Sequence, residues 1–365
     1  MKVLSVFGTR PEAVKMAPVV KLLKETADIE SRVCVTAQHR QMLDQVLDLF
    51  NITPDYDLDL MRENQSLSQL SASIFTNLEP VLTDFKPDWV LAQGDTTTVA
   101  ITSLLCYYHK IKFGHVEAGL RTHDKWQPFP EEINRRIAGA VADLHFAPTE
   151  WSKNNLLKEG VDPNIIKVTG NTVIDALQFV SKRAEPKEIA DLTNKLATSK
   201  LILVTAHRRE NFGEGMENIC KALLDLSKEK DVQIVYPVHL NPNVQEPVNR
   251  LLKNVENITL LPPLDYLPLV HLMKHSTLIL TDSGGIQEEA PAFGVPTLVL
   301  REVTERPEGV EAGTVKLVGT ETSRIKEEAK RLLDDEAEYQ KMSKAANPYG
   351  DGHASERIIQ ALLNY

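Results

Sequence analysis

Short apolar runs, each followed by a polar loop and then by a pattern of helical period, recur along the whole chain. Runs of β-branched and apolar residues predict strands buried on both faces, and apolar positions three or four residues apart predict helices that cover them. We predict strands at residues 2–7, 32–36, 89–92, 112–116, 144–147, 201–205, 233–237, 259–263, 277–281 and 297–300. Strands that alternate with helices are typical of a parallel α/β sheet.

The second half of the chain repeats the opening of the first. Strand 2–7 runs into Gly8 with Arg10 behind it, and strand 201–205 runs into a loop with His207 and Arg209. A strand followed by a cationic loop at both starts predicts an α/β fold of two doubly wound, Rossmann-like domains.

The charged segment 182–200 has the composition of an exposed connection between domains. We therefore assign residues 1–170 to an N-terminal domain and residues 171–353 to a C-terminal domain. The C-terminal helix, residues 354–365, is expected to cross back onto the N-terminal domain and join it.

Composition narrows the class of protein. The 365 residues are 42% hydrophobic and 25% charged, and the formal net charge of -10 argues against a nucleic-acid surface. Cys34, Cys106 and Cys220 lie far apart in apolar segments, which predicts buried thiols rather than disulfides or a zinc site. The sequence has no apolar stretch of membrane-spanning length and no leader pattern, so we expect a cytoplasmic protein with no membrane partner.

The stretch 277–289 carries the best candidate for an anion site. A short apolar strand runs into Asp282 and Ser283, and Gly284 and Gly285 open a helix. Glycines let a ligand approach the free N–H groups of a first helical turn, where the helix dipole favours a phosphate. The alternative is an ordinary strand-to-helix turn with Ser283 as its N-cap.

A second cationic group, Arg10 and Lys15, follows the turn at Gly8 and is placed to face one anion. The glycine loops complete neither a G-x-x-x-x-G-K-[ST] nor a G-x-G-x-x-G pattern. The sequence therefore lacks the motifs that would indicate an ATP site or a dinucleotide site, and we expect no cofactor.

Candidate proton-transfer groups stand at the ends of predicted strands. Asp95 follows strand 89–92, Glu117 follows strand 112–116, and Glu131 opens a helix after a proline-rich segment. Ligands of open parallel sheets bind outside the carboxyl ends of the strands. Capping explains Asp95, and favourable interaction with the helix dipole explains Glu131, as simpler alternatives.

Two possible metal sites are weak, and we predict no metal. Asp57 and Asp59 form a D-x-D pattern, but nothing near them supplies further oxygen ligands. His115, Glu117 and His123 lack the helical histidine pair that usually accompanies such a cluster. Two anion-binding loops and several carboxylates suit a nucleotide-sugar, because cations hold the diphosphate while carboxylates move protons on the sugar.

Seven ordered segments resemble the non-hydrolysing UDP-N-acetylglucosamine 2-epimerases: FGTRPE, QGDTTT, GHVEAGLRT, PFPEEINRR, TAHRREN, TDSGGIQEEAP and ERPEG. The resemblance runs nearly from end to end. It implies a glycosyltransferase B fold with two domains facing a cleft, a homodimer, and interconversion of UDP-N-acetylglucosamine and UDP-N-acetylmannosamine. The family reaction is anti elimination of UDP to 2-acetamidoglucal, followed by re-addition.

The resemblance also implies roles for residues at matching positions. The catalytic residues would be Asp95, Glu117, Glu131 and His207. Substrate binding would involve Arg10, Lys15, Asp95, Glu117, His207, His239, Leu264, Leu269, Ser283, Gly284, Gly285, Glu289 and Arg306. Leu264 and Leu269 stand where some relatives have Gln and Phe around the uracil. A second UDP-N-acetylglucosamine would act as an allosteric activator at Gln38, Gln41, Glu131 and Arg209.

Other activities stay open on sequence alone. A hydrolysing epimerase and a sugar transferase of the same fold are the enzyme alternatives, and a catalytically silent nucleotide-sugar sensor is the alternative of another class. The product is expected to supply N-acetylmannosamine for a cell-surface polysaccharide.

Overall fold

The computed structural model of the chain describes residues 1–37, 40–60, 62 and 64–365, with the backbone alone at 40 and 41. The chain forms two compact units. Unit 1 comprises Met1–Phe179 and Tyr349–Tyr365, and unit 2 comprises Val180–Pro348. The predicted domain division at residues 170 and 353 stays a prediction.

Unit 1 is built on a seven-stranded parallel sheet. Its strands are β1 (Lys2–Phe7), β2 (Glu30–Val35), β3 (Tyr56–Asp57), β4 (Trp89–Gln93), β5 (Lys112–Val116), β6 (Leu144–Ala147) and β7 (Ile166–Val168). Its helices are α1 (Arg10–Glu25), α2 (Arg40–Phe50), α3 (Leu67–Phe85), α4 (Thr97–His109), α5 (Glu131–Val141), α6 (Glu150–Lys158), α7 (Thr172–Val180, whose last residue belongs to unit 2) and the terminal helix Ala354–Leu363, with a 3₁₀ turn at Pro163–Ile165. The strand order is β3-β2-β1-β4-β5-β6-β7.

Unit 2 repeats the same plan with six parallel strands. They are β8 (Lys200–Thr205), β9 (Val232–Pro237), β10 (Ile258–Leu261), β11 (Leu278–Thr281), β12 (Thr297–Val299) and β13 (Val315–Leu317). The helices are α8 (Lys187–Lys195), α9 (Glu214–Leu226), α10 (Pro242–Leu252), α11 (Tyr266–His275), α12 (Gly284–Glu289), α13 (Pro307–Glu311), α14 (Thr322–Asp334) and α15 (Glu336–Ser343), with 3₁₀ turns at Arg209–Asn211 and Ala290–Phe293; the terminal helix of unit 1 is α16. The strand order is β10-β9-β8-β11-β12-β13.

Both orders reverse direction at one place, between β1 and β4 in unit 1 and between β8 and β11 in unit 2. Strands at the centre of such a sheet are covered by helices on both faces, which is why they read as continuous apolar runs. Val3, Leu4 and Val6 of β1, and Ile202 and Val204 of β8, are fully buried. The predicted α/β class with two doubly wound units is confirmed.

One predicted connection is wrong in part. The charged segment 182–200 contains helix α8, whose Ile189 is buried and which packs against α11. Charged residues dominate its composition because only one side of the helix faces the protein, so composition alone hid the periodicity.

Candidate active site

The switch point of unit 1 carries most of the predicted acidic residues. β1 and β4 are neighbours whose chain connections leave in opposite directions, and the loops behind them start at Gly8 and Gly94. Such a crevice is where doubly wound sheets bind ligands. A Cβ on Gly8 would lie 1.9 Å from Oγ1 of Thr36, the residue after β2, so only glycine lets the end of β1 come this close to the end of β2.

Glu12 ties the two switch-point loops of unit 1 together. Its Oε2 accepts hydrogen bonds from the backbone N–H of Gly8 at 2.9 Å and of Thr9 at 2.7 Å, while Oε1 accepts from the Thr96 hydroxyl at 2.6 Å. Burial raises the pKa of Glu12, although the hydrogen bonds oppose this. Sequence reasoning missed this residue, and a capping box formed with Thr9 is the local signal that could have found it.

Asp95 stands beside Thr96 and is held by helix α5. Its carboxylate forms an ion pair with Arg135, and Nδ2 of Asn134 donates to its backbone carbonyl at 3.0 Å. Asp95 is the residue before the cap of α4, and the Thr96 side chain accepts the capping hydrogen bond instead. The alternative of Asp95 as the N-cap is therefore wrong.

Glu117 follows directly after β5, the strand next to β4. Its Oε2 forms an ion pair with Lys15 and accepts from Nδ2 of Asn171 at 3.1 Å. The backbone of Glu117 has a φ of 62°, a left-handed conformation that is costly for a residue with a Cβ. Conformations of this kind cluster at functional sites, and here it places the carboxylate where the sheet ends.

Glu131 and its neighbour Glu132 open helix α5 and differ in exposure. Glu131 is half-buried in the first turn, whereas Glu132 is fully buried. The Glu132 carboxylate accepts from the backbone N–H groups of Thr122 and His123 at 3.1 and 3.2 Å, and it also binds Arg135. Glu132 therefore fixes the segment before α5 and the arginine that holds the Asp95 carboxylate, a role that the sequence did not reveal.

Two buried histidines lie behind this edge. Nε2 of His115 contacts the carbonyl oxygen of Gly94 at 2.7 Å, and His145 is its partner on the neighbouring strand β6. Burial lowers the pKa of His115 to about 4 and that of His145 to about 3. Both rings are therefore uncharged at neutral pH.

The switch point of unit 2 is organised around Asp282, which follows β11 and is fully buried. Its Oδ2 accepts from the backbone N–H of His207 at 2.8 Å and of Arg208 at 2.7 Å, and from Nδ2 of Asn211 at 3.0 Å. The loop after β8 is thus fastened to the end of β11. Sequence reasoning named Asp282 as part of the turn but gave it no role.

His207 and His239 form a stacked pair above that loop. Their ring centroids are 5.1 Å apart with planes inclined by 10°. His239 lies at the end of β9, where Nδ1 accepts from the backbone N–H of Asn241 at 3.1 Å. The structure therefore brings together two histidines that the sequence placed in separate segments.

Ser283, Gly284 and Arg306 meet at the start of helix α12. Ser283 occupies the N-cap position of α12, as the alternative predicted, but its side chain makes no capping hydrogen bond. A Cβ on Gly284 would lie 2.5 Å from Nη1 of Arg306, so the guanidinium rests directly on the glycine. Nε of Arg306 binds the buried carboxylate of Glu288 at 2.6 Å.

The other predicted binding residues lie around these two groups. Glu289 ends α12, and its Oε1 would lie 3.6 Å from a Cβ placed on Gly285. Burial and the charge of Glu289 raise the pKa of the Tyr266 phenol well above its usual range, so the start of α11 is close to Glu289. Leu264 and Leu269 flank this position and are half-buried.

Four predicted residues remain. Arg10, Gln38 and Gln41 belong to unit 1, and Arg209 belongs to unit 2. Arg10, at the start of α1, and Arg209, after β8, are exposed. Gln38 falls outside the described residues, and so does the side chain of Gln41. Within the part of the chain that is described, no helix is long and apolar enough to cross a bilayer.

Two parallel, doubly wound units with polar loops at their switch points define an α/β protein of the glycosyltransferase B type. The family model for UDP-N-acetylglucosamine 2-epimerase matches residues 21–363. The chain is 58% identical to the UDP-N-acetylglucosamine 2-epimerase of Salmonella typhimurium over 372 aligned positions, which cover 100% of this chain and 99% of that protein. The chain therefore belongs to the UDP-N-acetylglucosamine 2-epimerase family, as the resemblance predicted.

Solved structures agree with this family. The UDP-GlcNAc 2-epimerase of Neisseria meningitidis, bound to UDP-GlcNAc, is 52% identical with a TM-score of 0.90, and the match covers 100% of both chains. The enzyme of Methanocaldococcus jannaschii, in complex with UDP-GlcNAc and UDP, is 34% identical with a TM-score of 0.81 over 100% of both chains.

Proposed function

We propose that this protein interconverts UDP-N-acetylglucosamine and UDP-N-acetylmannosamine without releasing free sugar. Family membership and the bound ligands of the relatives support the substrate class. The observation that supports the proposal is that Asp95 and Glu117 follow the neighbouring strands β4 and β5, and that Glu131 opens α5, the helix that binds Asp95. Epimerisation through an alkene needs proton-transfer groups for two faces of C2, and these residues supply three carboxylates.

The proposed reaction begins with loss of the C2 proton to a carboxylate base. The C2–H electron pair forms the C1=C2 double bond, and the C1–O bond breaks with its electrons moving to the diphosphate oxygen. A proton then returns to C2 from the opposite face while UDP adds back to C1. Asp95, Glu117 and Glu131 are the proposed acid and base groups of these steps.

Departure of UDP is the larger electrostatic task, because C2–H is a very weak acid and a base alone cannot drive the elimination. We assign this task to unit 2. The backbone N–H groups after Ser283, the guanidinium of Arg306 on Gly284 and the imidazole of His207 are the proposed donors to the departing diphosphate. Preorganised donors of this kind are usually the largest catalytic term.

Incubation with UDP-N-acetylglucosamine in D2O tests the proposal. We expect UDP-N-acetylmannosamine with deuterium at C2, formed without an acceptor or an added metal and followed by NMR. Free N-acetylmannosamine would indicate hydrolysis instead, and transfer of the sugar only after addition of an acceptor would indicate a transferase. Binding of UDP without turnover would indicate a sensor.

Several finer features are part of the same proposal. The first domain comprises residues 1–170 with 354–365, the second comprises residues 171–353, and the protein is a cytoplasmic homodimer that supplies N-acetylmannosamine for a surface polysaccharide. Sedimentation velocity tests the dimer. A second substrate molecule activates the enzyme through Gln38, Gln41, Glu131 and Arg209, and Arg209→Ala should abolish activation by added UDP-N-acetylglucosamine while UDP still binds.

A further inference from the structure

The buried carboxylate of Asp282 uses only one of its two oxygens for hydrogen bonds. Oδ2 accepts all three donors described above, while Oδ1 is buried and has no hydrogen-bond partner among the residues that the structure describes. Buried carboxylate oxygens normally find a donor, because removing a charged group from water without compensation is costly. Oδ1 therefore indicates a donor that approaches during function.

The ring of His207 lies close to this oxygen, with its Nδ1 3.8 Å from Oδ1 of Asp282. The backbone around this ring is fixed, because Asp282 holds the N–H of His207 and the Tyr236 hydroxyl donates to the carbonyl of Ala206 at 2.6 Å. A ring movement of about 1 Å would bring Nδ1 to hydrogen-bond distance. Rotation about the side-chain bonds alone supplies such a movement.

The surroundings of the ring define which nitrogen faces outward. Nδ1 is on the Asp282 side, one ring face stacks on His239, and the side chain of His207 is 40% exposed. Because the two nitrogens lie on different edges of an imidazole, Nε2 is directed away from Asp282. An imidazole held through Nδ1–H presents a defined Nε2 to its target.

We propose that Asp282 is a positioning residue for His207: it accepts the Nδ1–H, fixes the ring and stabilises its protonated form. This inference rests on the proposed function. When the C1–O bond breaks, Nε2–H of His207 donates to the departing diphosphate oxygen, which takes the C1–O electron pair. In the reverse addition the proton returns to Nε2 as that oxygen attacks C1.

A purely structural role for Asp282, anchoring the loop after β8, is the competing explanation. The variant Asp282→Asn distinguishes positioning of His207 from anchoring of the loop. The asparagine carbonyl can still accept the backbone N–H groups, but its amide turns a donor and no charge toward His207. We expect UDP affinity to stay within about twofold of wild type and kcat to fall by about a hundredfold or more. Asp231→Asn, a control at an exposed position in the same unit, should change neither UDP affinity nor kcat.

The double variant Asp282→Asn/His207→Asn decides whether the residues act as a unit. If Asp282 works through His207, the double variant loses no more than about twofold beyond His207→Asn, because there is no ring left to position. Multiplication of the two single losses would overturn the proposal.

A readout independent of turnover separates this inference from the proposed function. Two-bond ¹H–¹⁵N spectra of the UDP-bound protein report the tautomer of each histidine, and His207→Asn assigns the signal of His207. We expect a proton on Nδ1 in wild type and its loss from Nδ1 in Asp282→Asn. An unchanged tautomer would overturn the inference even in an active enzyme. Absence of epimerase activity with the expected spectra would reject only the proposed reaction.

Discussion

Replacement of Glu12 tests how the switch point of unit 1 is held together. Glu12→Ala removes both carboxylate oxygens and leaves the N–H of Gly8, the N–H of Thr9 and the hydroxyl of Thr96 without their acceptor. Glu12→Gln keeps the shape. Its carbonyl can accept from the two N–H groups, and its amide can donate to the Thr96 hydroxyl oxygen.

The two variants should differ strongly in stability. A buried donor left without an acceptor costs about 1–3 kcal/mol. The Gly8 N–H is buried and the other two donors are partly buried, so we expect Glu12→Ala to lower the free energy of unfolding by about 3 kcal/mol. Glu12→Gln should cost less than about 1.5 kcal/mol, because it loses only the charge-assisted part of the hydrogen bonds.

The effect of Glu12→Gln should also depend on pH. Burial raises the pKa of Glu12 above its ordinary value of 4.5, so the folded state binds this proton more tightly than the unfolded chain does. The resulting stabilisation is fully present below pH 4.5 and is lost as the pH rises through the raised pKa. Glutamine does not titrate, so the stability of Glu12→Gln relative to wild type should increase as the pH rises from 4.5.

Tryptophan fluorescence in urea is a suitable assay, because Trp89, Trp126 and Trp151 all belong to unit 1. Unfolding of wild type, Glu12→Ala and Glu12→Gln is followed between pH 4.5 and 7.5. Equal destabilisation by alanine and glutamine would refute the hydrogen-bond reasoning. A difference between wild type and Glu12→Gln that is constant across this range would refute the reasoning about burial.

Three further predictions concern both units. Gly284→Ala should displace the guanidinium of Arg306 and weaken UDP binding about tenfold, whereas Gly215→Ala, whose Cβ would meet no atom closer than 3.6 Å, should leave calorimetric UDP affinity unchanged. Glu117→Gln should bind UDP nearly normally but lose kcat by roughly a hundredfold or more; an equal loss of binding would contradict a role in proton transfer. The lowered pKa of His145, about 3, means that the unfolded chain takes up a proton first as the pH falls below 6.5. Stability of unit 1 should therefore decrease from pH 6.5 toward 4, and His145→Gln should flatten this decrease in urea titrations; an unchanged slope would contradict burial as the cause.

The sequence predicted the central strands because burial on both faces demands apolar residues there. It missed β3, β7 and β13, which are two or three residues long and lie at the edges of the sheets. An edge strand is covered less completely, so it needs no apolar run. Its place is set by backbone pairing with a neighbour, as between Cys34 and Tyr56, which local periodicity does not encode.

The residues of the candidate site also fall into two groups, those that the sequence predicted and those that it did not. Residues that follow a strand closely, such as Asp95, Glu117 and His207, stand in recognisable motifs and were predicted; their roles stay predictions. Glu12 and Asp282 were not assigned a role, because each works through partners far away in sequence: Thr96 lies 84 residues from Glu12, and His207 lies 75 residues from Asp282. A carboxylate next to a glycine turn is interpreted as a surface charge from sequence alone, because only the fold shows that it is buried.

Glu12 and Asp282 each connect the two loops at the switch point of their unit, but from different strands. In unit 1 the carboxylate lies on the helix after β1, holds that strand's own loop, and reaches the loop after β4 through Thr96. In unit 2 the carboxylate follows β11, the counterpart of β4, and reaches back to the loop after β8, the counterpart of β1. Non-equivalent residues therefore tie together the same pair of loops in both units. A doubly wound sheet leaves these loops diverging at its switch point, and groups that must act on one small ligand need them fixed. A buried carboxylate that accepts backbone N–H groups supplies that rigidity, so the residues of the candidate site need not hold the loops themselves.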